Sequence, residues 1–223
     1  MTTGIVISET RDTPITRLDN PANVVAIRHV RQGSAAIVPH LGIEEVRRLA
    51  AAAEANGRGD KGDRDRLLIE TLFDGCFRVS EGLSLRPADL AQTPTGWIAR
   101  IAGKGRKPGM VALSSSLVAR LHAHAYQRQL KPIERFFPIT PGRANQIMGR
   151  AFATAGLRKP DQVGACHVLR HSGAIARLAA TRNPKAVQDQ LRHVDARMTL
   201  RYWKTLAVSE SLEIQKTVDF DWR

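Results

Sequence analysis

Residues 166–203 read CHVLRHSGAIARLAATRNPKAVQDQLRHVDARMTLRYW, and this stretch predicts three short helices. Spacings of three and four residues place His167, Arg170 and His171 on one face of the first helix. The dipeptide Asn183-Pro184 predicts the start of the second helix, because asparagine accepts hydrogen bonds from free N–H groups and proline suits the first helical position.

The second and third helices bring further polar groups. The second runs into His193, and Asp195 is a candidate cap for the third, which carries Tyr202. Two imidazole rings, a guanidinium group and a phenol therefore lie on neighbouring short helices. These groups hold or exchange protons and bind anions, so we expect them to converge on one phosphate group.

The composition favours a polyanionic partner. The chain has 223 residues, of which 43% are hydrophobic, which is enough for one large domain or for a domain with an arm. The 34 Lys and Arg residues outnumber the 21 Asp and Glu residues and give a formal net charge of +13 at pH 7. This balance indicates a nucleic acid partner, and a soluble basic protein without one is the alternative.

The cysteines and the hydropathy pattern argue against metal, disulfide and membrane proteins. Cys76 and Cys166 fall within or beside predicted helices and lack the spacing of metal ligands or of a disulfide framework. We expect no metal, no cofactor and a reducing compartment. The sequence contains no apolar run long enough for a bilayer, and its start, MTTGIVISETRD, lacks the pattern of a signal peptide.

The rest of the chain predicts a fold that is mainly α with a small antiparallel β-sheet or hairpin. Residues 1–38 show only a brief alternation and are treated as an arm. Helical periodicity begins near Gly42 and ends at Gly57. Further helices are predicted after a cap at Asp63, around Arg78 to Glu81, from Ser114–Ser116 to about Leu130, and from Thr140-Pro141 to Gly156.

Residues 96–113 predict the hairpin. Its arms are Trp97 to Ile101 and Met110 to Leu113, and GKGRKPG forms the turn. The glycines permit unusual backbone angles, so Lys104 and Lys107 are expected to project from a mobile tip. Lys104 is the preferred candidate for chemistry because of its place in GKG, and either lysine can instead be a solvated turn residue.

Two arginines stand among apolar residues. Arg78 follows LLIETLFDGCF, and Arg170 lies within HVLRHSGAI. A partly buried guanidinium group must find an anion or acceptors, and its forked donors match two phosphate oxygens. Two such groups can clamp one phosphodiester and stabilise charge that grows during reaction. Three kinds of group complete this metal-free chemistry. Tyr202 is the candidate nucleophile, His167 and His193 can exchange protons, and Lys104 is the candidate acid.

Taken in order, these residues resemble the catalytic domain of tyrosine recombinases, the phage integrase and Xer family. GCFRVSEGLSLRPADL resembles the first arginine box of the family, with Glu81 at the acidic position beside the site. ARIAGKGRKPGMVAL resembles its lysine hairpin, and HVLRH with His193 and Tyr202 resembles the remaining boxes. The likeness covers roughly residues 40–205, and the boxes in this order are far more specific than any one alone.

The resemblance implies a role for each matching residue. It implies that Arg78, Arg170 and His193 bind the phosphate and that Tyr202 attacks it. It also implies that His167 assists proton transfer from Tyr202 and that Lys104 donates a proton to the 5′-hydroxyl leaving group. The product would be a 3′-phosphotyrosyl bond, which the 5′-hydroxyl of another strand reseals without ATP. His171 is expected to be structural, through a hydrogen bond in helix packing.

The chain departs from the family pattern at three places. Arg192 stands where glycine is usual and adds a positive side chain that we expect to face DNA. Cys166 replaces the usual proline. The first 38 residues are too few for the separate N-terminal helical domain of many members, so the chain resembles the minimal members, such as the fimbrial switch invertases.

Other basic residues are expected to contact the DNA backbone, which positions DNA without reading its sequence. These residues are Arg106, Lys107, Arg143 and Arg150. Asn145 and Gln146 read base edges if their helix enters the major groove, and a solvated helix face is the alternative.

We therefore expect an arm at 1–38, a catalytic domain at 39–207 and a C-terminal tail at 208–223. Leu212 and Ile214 of the tail are expected to contact a neighbouring protomer. The expected setting is the bacterial cytoplasm and nucleoid, and the expected partners are double-stranded DNA, a homo-oligomer on DNA of two to four chains, and an accessory protein.

Three functions remain open from the sequence. The first is a site-specific recombinase that integrates, excises, resolves or inverts DNA. The second is an accessory or regulatory protein that binds DNA on the same fold without cutting it. The third is a nicking and resealing enzyme similar to a topoisomerase. It shares the chemistry of the first but does not bring two DNA sites together for strand exchange.

Overall fold

The computed structural model describes residues 37–102 and 108–217. Three residues predicted in the hairpin turn, Lys104, Arg106 and Lys107, lie outside this part. So do residues 1–36 of the expected arm and the last six residues of the expected tail.

The described part contains eight α-helices and three β-strands. The helices are α1 (Ile43–Asn56), α2 (Asp60–Asp74), α3 (Val79–Ser84), α4 (Ser115–Gln127), α5 (Pro141–Thr154), α6 (His167–Thr181), α7 (Pro184–Leu191) and α8 (Ala196–Thr217). The strands are β1 (Leu90–Thr93), β2 (Gly96–Ala102) and β3 (Pro108–Leu113). None of the described helices combines the length and the apolar character that a bilayer crossing needs.

The three strands form one antiparallel sheet in the order β1-β2-β3. In its register Leu90 faces Ala99, and Trp97 faces Leu113. The predicted fold, mainly helical with a small antiparallel sheet, is confirmed, and the predicted hairpin is the β2–β3 pair. The sequence did not predict β1, because its four residues are too few for a clear alternation of apolar and polar side chains.

Side-chain caps begin four helices where the sequence predicted them. Ser114, Thr140, Asn183 and Asp195 accept hydrogen bonds at 2.9–3.2 Å from backbone N–H groups two or three residues later. One predicted cap is wrong. Helix α2 begins at Asp60, directly after the left-handed residue Gly59 (φ 58°), so Asp63 lies inside the first turn.

The apolar side chains form two clusters. The larger cluster lies between α1, α2, α4, α5 and the sheet, and includes the fully buried residues Leu49, Leu68, Ile69, Leu72, Leu121 and Met148. The smaller cluster lies among α6, α7 and α8 and includes Cys76, Leu178, Leu191 and Tyr202. Packing in the smaller cluster therefore fixes the predicted nucleophile.

Helix α6 approaches the end of α2 very closely. A Cβ atom on Gly173 of α6 would lie 2.1 Å from the backbone oxygen of Phe73, so only glycine fits there. This contact brings the polar face of α6 next to the turn that follows α2.

Helix α8 is longer than the sequence predicted. It continues without a break from Ala196 to Thr217, across the expected boundary between catalytic domain and tail at 207/208. Beyond Leu206 its side chains are largely exposed, and Leu212 and Ile214 are 56% and 64% exposed. The expected tail is therefore helical as far as Thr217.

Candidate active site

The predicted catalytic residues that the structure describes line one cleft of about 400 Å³. Arg78 lies at the start of α3, His167 and Arg170 lie on α6, His193 lies between α7 and α8, and Tyr202 lies on α8. The fold brings these residues together from distant parts of the sequence. The predicted Lys104 falls outside the described residues.

Glu81 holds the two arginines at one place. Its Oε2 accepts a hydrogen bond from the backbone N–H of Arg78 at 2.8 Å, which caps α3. Its Oε1 accepts one from Nη1 of Arg78, also at 2.8 Å. Nη1 of Arg170 lies 3.9 Å from Oε2. Two guanidinium groups thus approach one carboxylate, and each has the forked donors that bind phosphate oxygens.

The carboxylate of Glu81 stays ionised. Burial by itself would raise its pKa, but hydrogen bonds from the backbone and side chain of Arg78 and the positive charge of Arg192 nearby outweigh burial and lower the pKa. The site therefore contains a fixed negative charge surrounded by several positive ones.

Two backbone carbonyl groups orient Arg170. Nη1 donates to the oxygen of Cys76 at 2.5 Å, and Nη2 donates to the oxygen of Leu191 at 2.7 Å. The side chain is only 1% exposed. Burial first, and then Arg78, lower the pKa of Arg170 to about 10, so the guanidinium group remains charged at neutral pH.

Each carbonyl belongs to a turn in which a residue other than glycine adopts a positive φ angle. Cys76 itself has φ 49°, and Arg192, which follows Leu191, has φ 54°. The left-handed conformation costs such a residue about 1–2 kcal/mol. Strained backbone of this kind is concentrated at functional sites, and here both turns direct a carbonyl group at the same guanidinium group.

Two imidazole rings lie against the phenol ring of Tyr202, and a third lies against one of them. The ring centroids of His193 and Tyr202 are 6.1 Å apart, in a stacked arrangement. The His171 ring meets the Tyr202 ring edge to face at 5.7 Å, and it meets the His167 ring in the same way at 4.6 Å. His171 therefore lies within the cleft, between two predicted catalytic residues.

Hydrogen bonds fix two of these rings. Nδ1 of His171 lies 3.2 Å from the oxygen of Pro39, and since a carbonyl only accepts, Nδ1 carries the proton. Nδ1 of His193 lies 3.1 Å from Oγ1 of Thr199, a buried residue of α8. His171 was predicted to form a hydrogen bond in helix packing, but its partner is the carbonyl of Pro39, which lies outside the helices. Thr199 was not predicted; its only signal was a position three residues before Tyr202, on the same helical face.

The environment keeps the histidines neutral and the phenol protonated. Burial, then nearby positive groups that include Arg170, lower the pKa values of His171 and His193 to about 4. Burial, Arg170 and Arg78 also lower the pKa of His167. Burial raises the pKa of Tyr202. A neutral imidazole can accept a proton, so the cleft contains both a protonated nucleophile and candidate acceptors for its proton.

A comparison with models of protein families shows to which family this chain belongs. The model described as the phage integrase family matches residues 39–207. The chain belongs to the phage integrase family.

The curated relatives are tyrosine recombinases. XerD of Rhizobium meliloti is 34% identical over 178 residues, which are 74% of this chain and 57% of the relative. XerC of Nitrobacter winogradskyi is 27% identical, over 79% of this chain and 57% of the relative. The chain spans little more than half the length of these relatives.

Solved structures share the fold of this member of the family. XerH bound to a palindromic difH substrate, in a post-cleavage complex, has a TM-score of 0.67 and 23% identity, and the match covers 81% of this chain and 54% of XerH. The catalytic domain of bacteriophage HP1 integrase has a TM-score of 0.59 and 21% identity, and the match covers 80% of this chain and 94% of that domain. The fold is therefore that of an integrase catalytic domain.

The residues predicted to contact DNA on α5 lie outside the cleft. Arg143 and Arg150 line a separate cavity of about 330 Å³ together with Arg58 and Lys61, which precede or begin α2. Asn145 is exposed on the same helix. Arg58 and Lys61 were not predicted as DNA contacts, because a charged GRGDKG loop is usually solvated.

Two further arginines, Arg192 and Arg201, lie close to the predicted catalytic residues. Nη2 of Arg192 lies 2.7 Å from Oε1 of Glu81, so this side chain points toward the carboxylate that also pairs with Arg78, and its contact with DNA stays a prediction. Arg201, which was not predicted, lines the cleft next to Tyr202. Among the described residues no cluster of three His, Cys, Asp or Glu side chains has the arrangement of a metal site.

Proposed function

We propose that this chain is a site-specific DNA recombinase that cleaves and rejoins DNA through a 3′-phosphotyrosyl bond to Tyr202. One observation carries the proposal: Arg78 and Arg170 meet at a single carboxylate, in a cleft that Tyr202, His167 and His193 also line. A cleft with paired guanidinium groups and a phenol suits a phosphodiester and its transfer to oxygen.

The arginines act on the phosphate oxygens. A phosphodiester carries one negative charge, and the charge on its non-bridging oxygens grows when a nucleophile attacks. Arg170, already held by two carbonyl groups, needs no reorganisation to meet this charge. Arg78, whose side chain is 44% exposed, is the more accessible of the two clamping groups.

In the cleavage step, Oη of Tyr202 attacks the phosphorus atom, a bond forms between them, and the bond from phosphorus to the 5′ oxygen breaks. The phenolic proton passes to an acceptor, for which neutral His167 is proposed. The 5′ oxygen takes a proton from an acid, for which we propose Lys104. One phosphodiester bond is exchanged for another, so the reverse reaction reseals DNA without ATP.

His193 is proposed to donate a hydrogen bond to the phosphate. The hydroxyl group of Thr199 can donate to Nδ1 of His193, and the proton of the neutral ring then lies on Nε2. In this tautomer the ring is a hydrogen-bond donor toward the cleft.

Double-stranded DNA is the proposed partner. The basic cavity of Arg58, Lys61, Arg143 and Arg150 supplies phosphate contacts, and Asn145 is a candidate for contact with base edges. Arg106 and Lys107, which lie outside the described residues, are further proposed DNA contacts.

Assembly on DNA is proposed as well. Two structural neighbours are a λ integrase dimer bound to a COC′ core site and a λ integrase tetramer bound to a Holliday junction. We propose a homo-oligomer of two to four chains on DNA, with the exposed end of α8 as a contact between protomers and an accessory protein as a further partner.

Covalent trapping from a random pool tests the proposal without a known target site. The protein is incubated with random-sequence duplexes that carry a nick, so that the short cleaved strand diffuses away and the phosphotyrosyl adduct accumulates. Adducts that survive denaturant are recovered and sequenced. We expect one enriched sequence from the unchanged protein and no adduct from Tyr202→Phe.

Two outcomes would replace the proposal with an alternative. Sequences enriched by binding but never bound covalently would identify a non-cleaving DNA-binding protein. Adducts on the enriched sequence, without recombination between two copies of it on a plasmid, would identify a nicking and resealing enzyme.

A further inference from the structure

We infer that Arg192 is a positioning residue of this site, which fixes Glu81 between the clamping arginines and ties that carboxylate to strand β3. The inference rests on the proposed function and deepens it.

The backbone of Arg192 shows that the side chain occupies an unusual place. Arg192 ends α7 in the left-handed conformation (φ 54°, ψ 43°), which favours glycine. Its side chain is nevertheless only 17% exposed, and both Nη atoms are buried without a hydrogen bond of good geometry, so the 2.7 Å approach of Nη2 to Glu81 is an ion pair. A charged side chain that merely faced DNA would not need this burial.

A second arginine provides a matched comparison. Arg182 ends α6 in the same left-handed conformation (φ 53°, ψ 20°) and pairs with Glu210. Its side chain is 56% exposed, against 17% for that of Arg192. The backbone conformation alone therefore does not draw an arginine into the interior.

The charges explain why the site needs Arg192. Nη2 of Arg192 and Nη1 of Arg78 approach the same oxygen of Glu81, at 2.7 and 2.8 Å. With Arg170 nearby, three guanidinium groups surround one carboxylate and leave a net charge of +2. Without Arg192, Glu81 would pair with the clamping arginines alone and would compete with the phosphate for them.

Contacts with β3 hold the stem of Arg192. A Cβ atom on Gly109 would lie 2.8 Å from Cδ of Arg192, so the aliphatic part of the side chain runs against the strand. Gln190 binds the same strand: its Oε1 accepts from the N–H of Ala112 at 3.1 Å, and its Nε2 donates to the oxygen of Ala112 at 2.8 Å. Arg192 therefore connects the sheet to the carboxylate.

The test separates positioning from DNA contact. On the duplex recovered by covalent trapping, two quantities are measured: the single-turnover rate of adduct formation at saturating DNA, and the Kd for DNA. We expect Arg192→Met to slow adduct formation by about tenfold to a hundredfold, with the Kd changed by less than about twofold. Arg192→Lys should recover part of the rate because it keeps the charge. The control Arg182→Met should react as the unchanged protein does.

A second pair of variants tests the contact with β3. Gly109→Ala should slow adduct formation when Arg192 is present, because the added methyl group displaces its side chain. In an Arg192→Gly background the same change should have no further effect. This pair carries the test if Arg192→Met does not fold.

Several results would overturn the inference. An unchanged rate in Arg192→Met would do so while leaving the proposed function intact, as would equal effects of Gly109→Ala in both backgrounds. A weaker Kd with an unchanged rate at saturation would assign Arg192 to DNA contact. No adduct from the unchanged protein on any duplex would overturn the proposed function itself, and the positioning role with it.

Discussion

Arg170 combines a structural task with a chemical one, because the same guanidinium group binds two carbonyl oxygens and faces the cleft. Lysine keeps the charge but cannot bridge the oxygens of Cys76 and Leu191. We expect Arg170→Lys to slow adduct formation by about 10²–10³-fold. The unsatisfied carbonyl groups should also lower the free energy of unfolding by about 1–3 kcal/mol. Single-turnover trapping measures the rate of adduct formation, and urea denaturation measures the free energy of unfolding. If Arg170→Lys forms the adduct at the original rate, the paired donors of the guanidinium group are not required.

The histidines predict a pH dependence of stability. The pKa values of His171 and His193 are about 4 in the folded chain, below the ordinary histidine value near 6.5 of an unfolded chain. Unfolding therefore takes up protons at these sites once the pH falls below 6.5, so their contribution to stability is complete above 6.5 and is lost as the pH falls toward 4. Thermal unfolding between pH 7 and pH 4.5 should show a falling midpoint. His171→Asn should flatten this fall, and an equal slope in the variant would contradict the assignment.

The sequence predicted which residues meet but not how they are held. The order and spacing of the boxes indicated Arg78, Arg170 and Tyr202. The Cys76 carbonyl was not predictable, because backbone acceptors carry no residue signature. Arg192 was expected to face DNA because it adds a positive charge where the family usually has glycine, and only the folded chain shows Glu81 within its reach.

At the scale of elements, the crossing of α6 over α2 depends on Gly173. A methyl group there would meet the Phe73 carbonyl oxygen at 2.1 Å, and a backbone atom cannot move aside as a side chain can. We expect Gly173→Ala to lower the free energy of unfolding by about 1–3 kcal/mol and to disturb the cleft. The control is Gly149→Ala in α5, where the added Cβ meets nothing within 4 Å. That change should raise stability by about 0.5–1 kcal/mol. Urea denaturation of both variants checks the prediction, and equal effects would contradict it.

Local signals predicted element starts better than element lengths. Capping residues such as Ser114, Thr140 and Asn183 mark helix starts through hydrogen bonds within four residues, which a sequence displays directly. The length of α8 has no such signal. Its first half is fixed by packing of Tyr202 and Leu206 in the smaller cluster, whereas its second half continues with few contacts.

At the scale of the whole molecule, the net charge of +13 predicts DNA binding that weakens with salt. Neutralising Arg143 and Arg150 together should reduce the slope of log K against log salt concentration by about 2, if each contacts one phosphate. Fluorescence anisotropy at several salt concentrations measures the slope. Arg47→Gln is the control, since Arg47 is exposed and lines a different cavity. An unchanged slope in the double variant would place the DNA elsewhere.

The exposed end of α8 makes a prediction about assembly. Val208, Leu212 and Ile214 are 41–64% exposed, and such apolar side chains on one helix suit a contact with another protein surface. Deleting residues 208–223 should reduce assembly on DNA more than it reduces binding of a single chain. Sedimentation of the protein with the trapped duplex distinguishes the two, and an unchanged oligomer would exclude this contact.

The side chain of Gln190 has a consequence for solubility. By engaging both the N–H and the oxygen of Ala112, it occupies hydrogen-bonding groups that an outermost strand would otherwise offer to any extended peptide. The glutamine amide forms the two hydrogen bonds with Ala112 that the backbone of a fourth strand would form. The side chain offers no backbone N–H or C=O on its other side, so no further strand can pair there. Gln190 of α7 thereby blocks this position of the edge strand β3 from pairing with another strand.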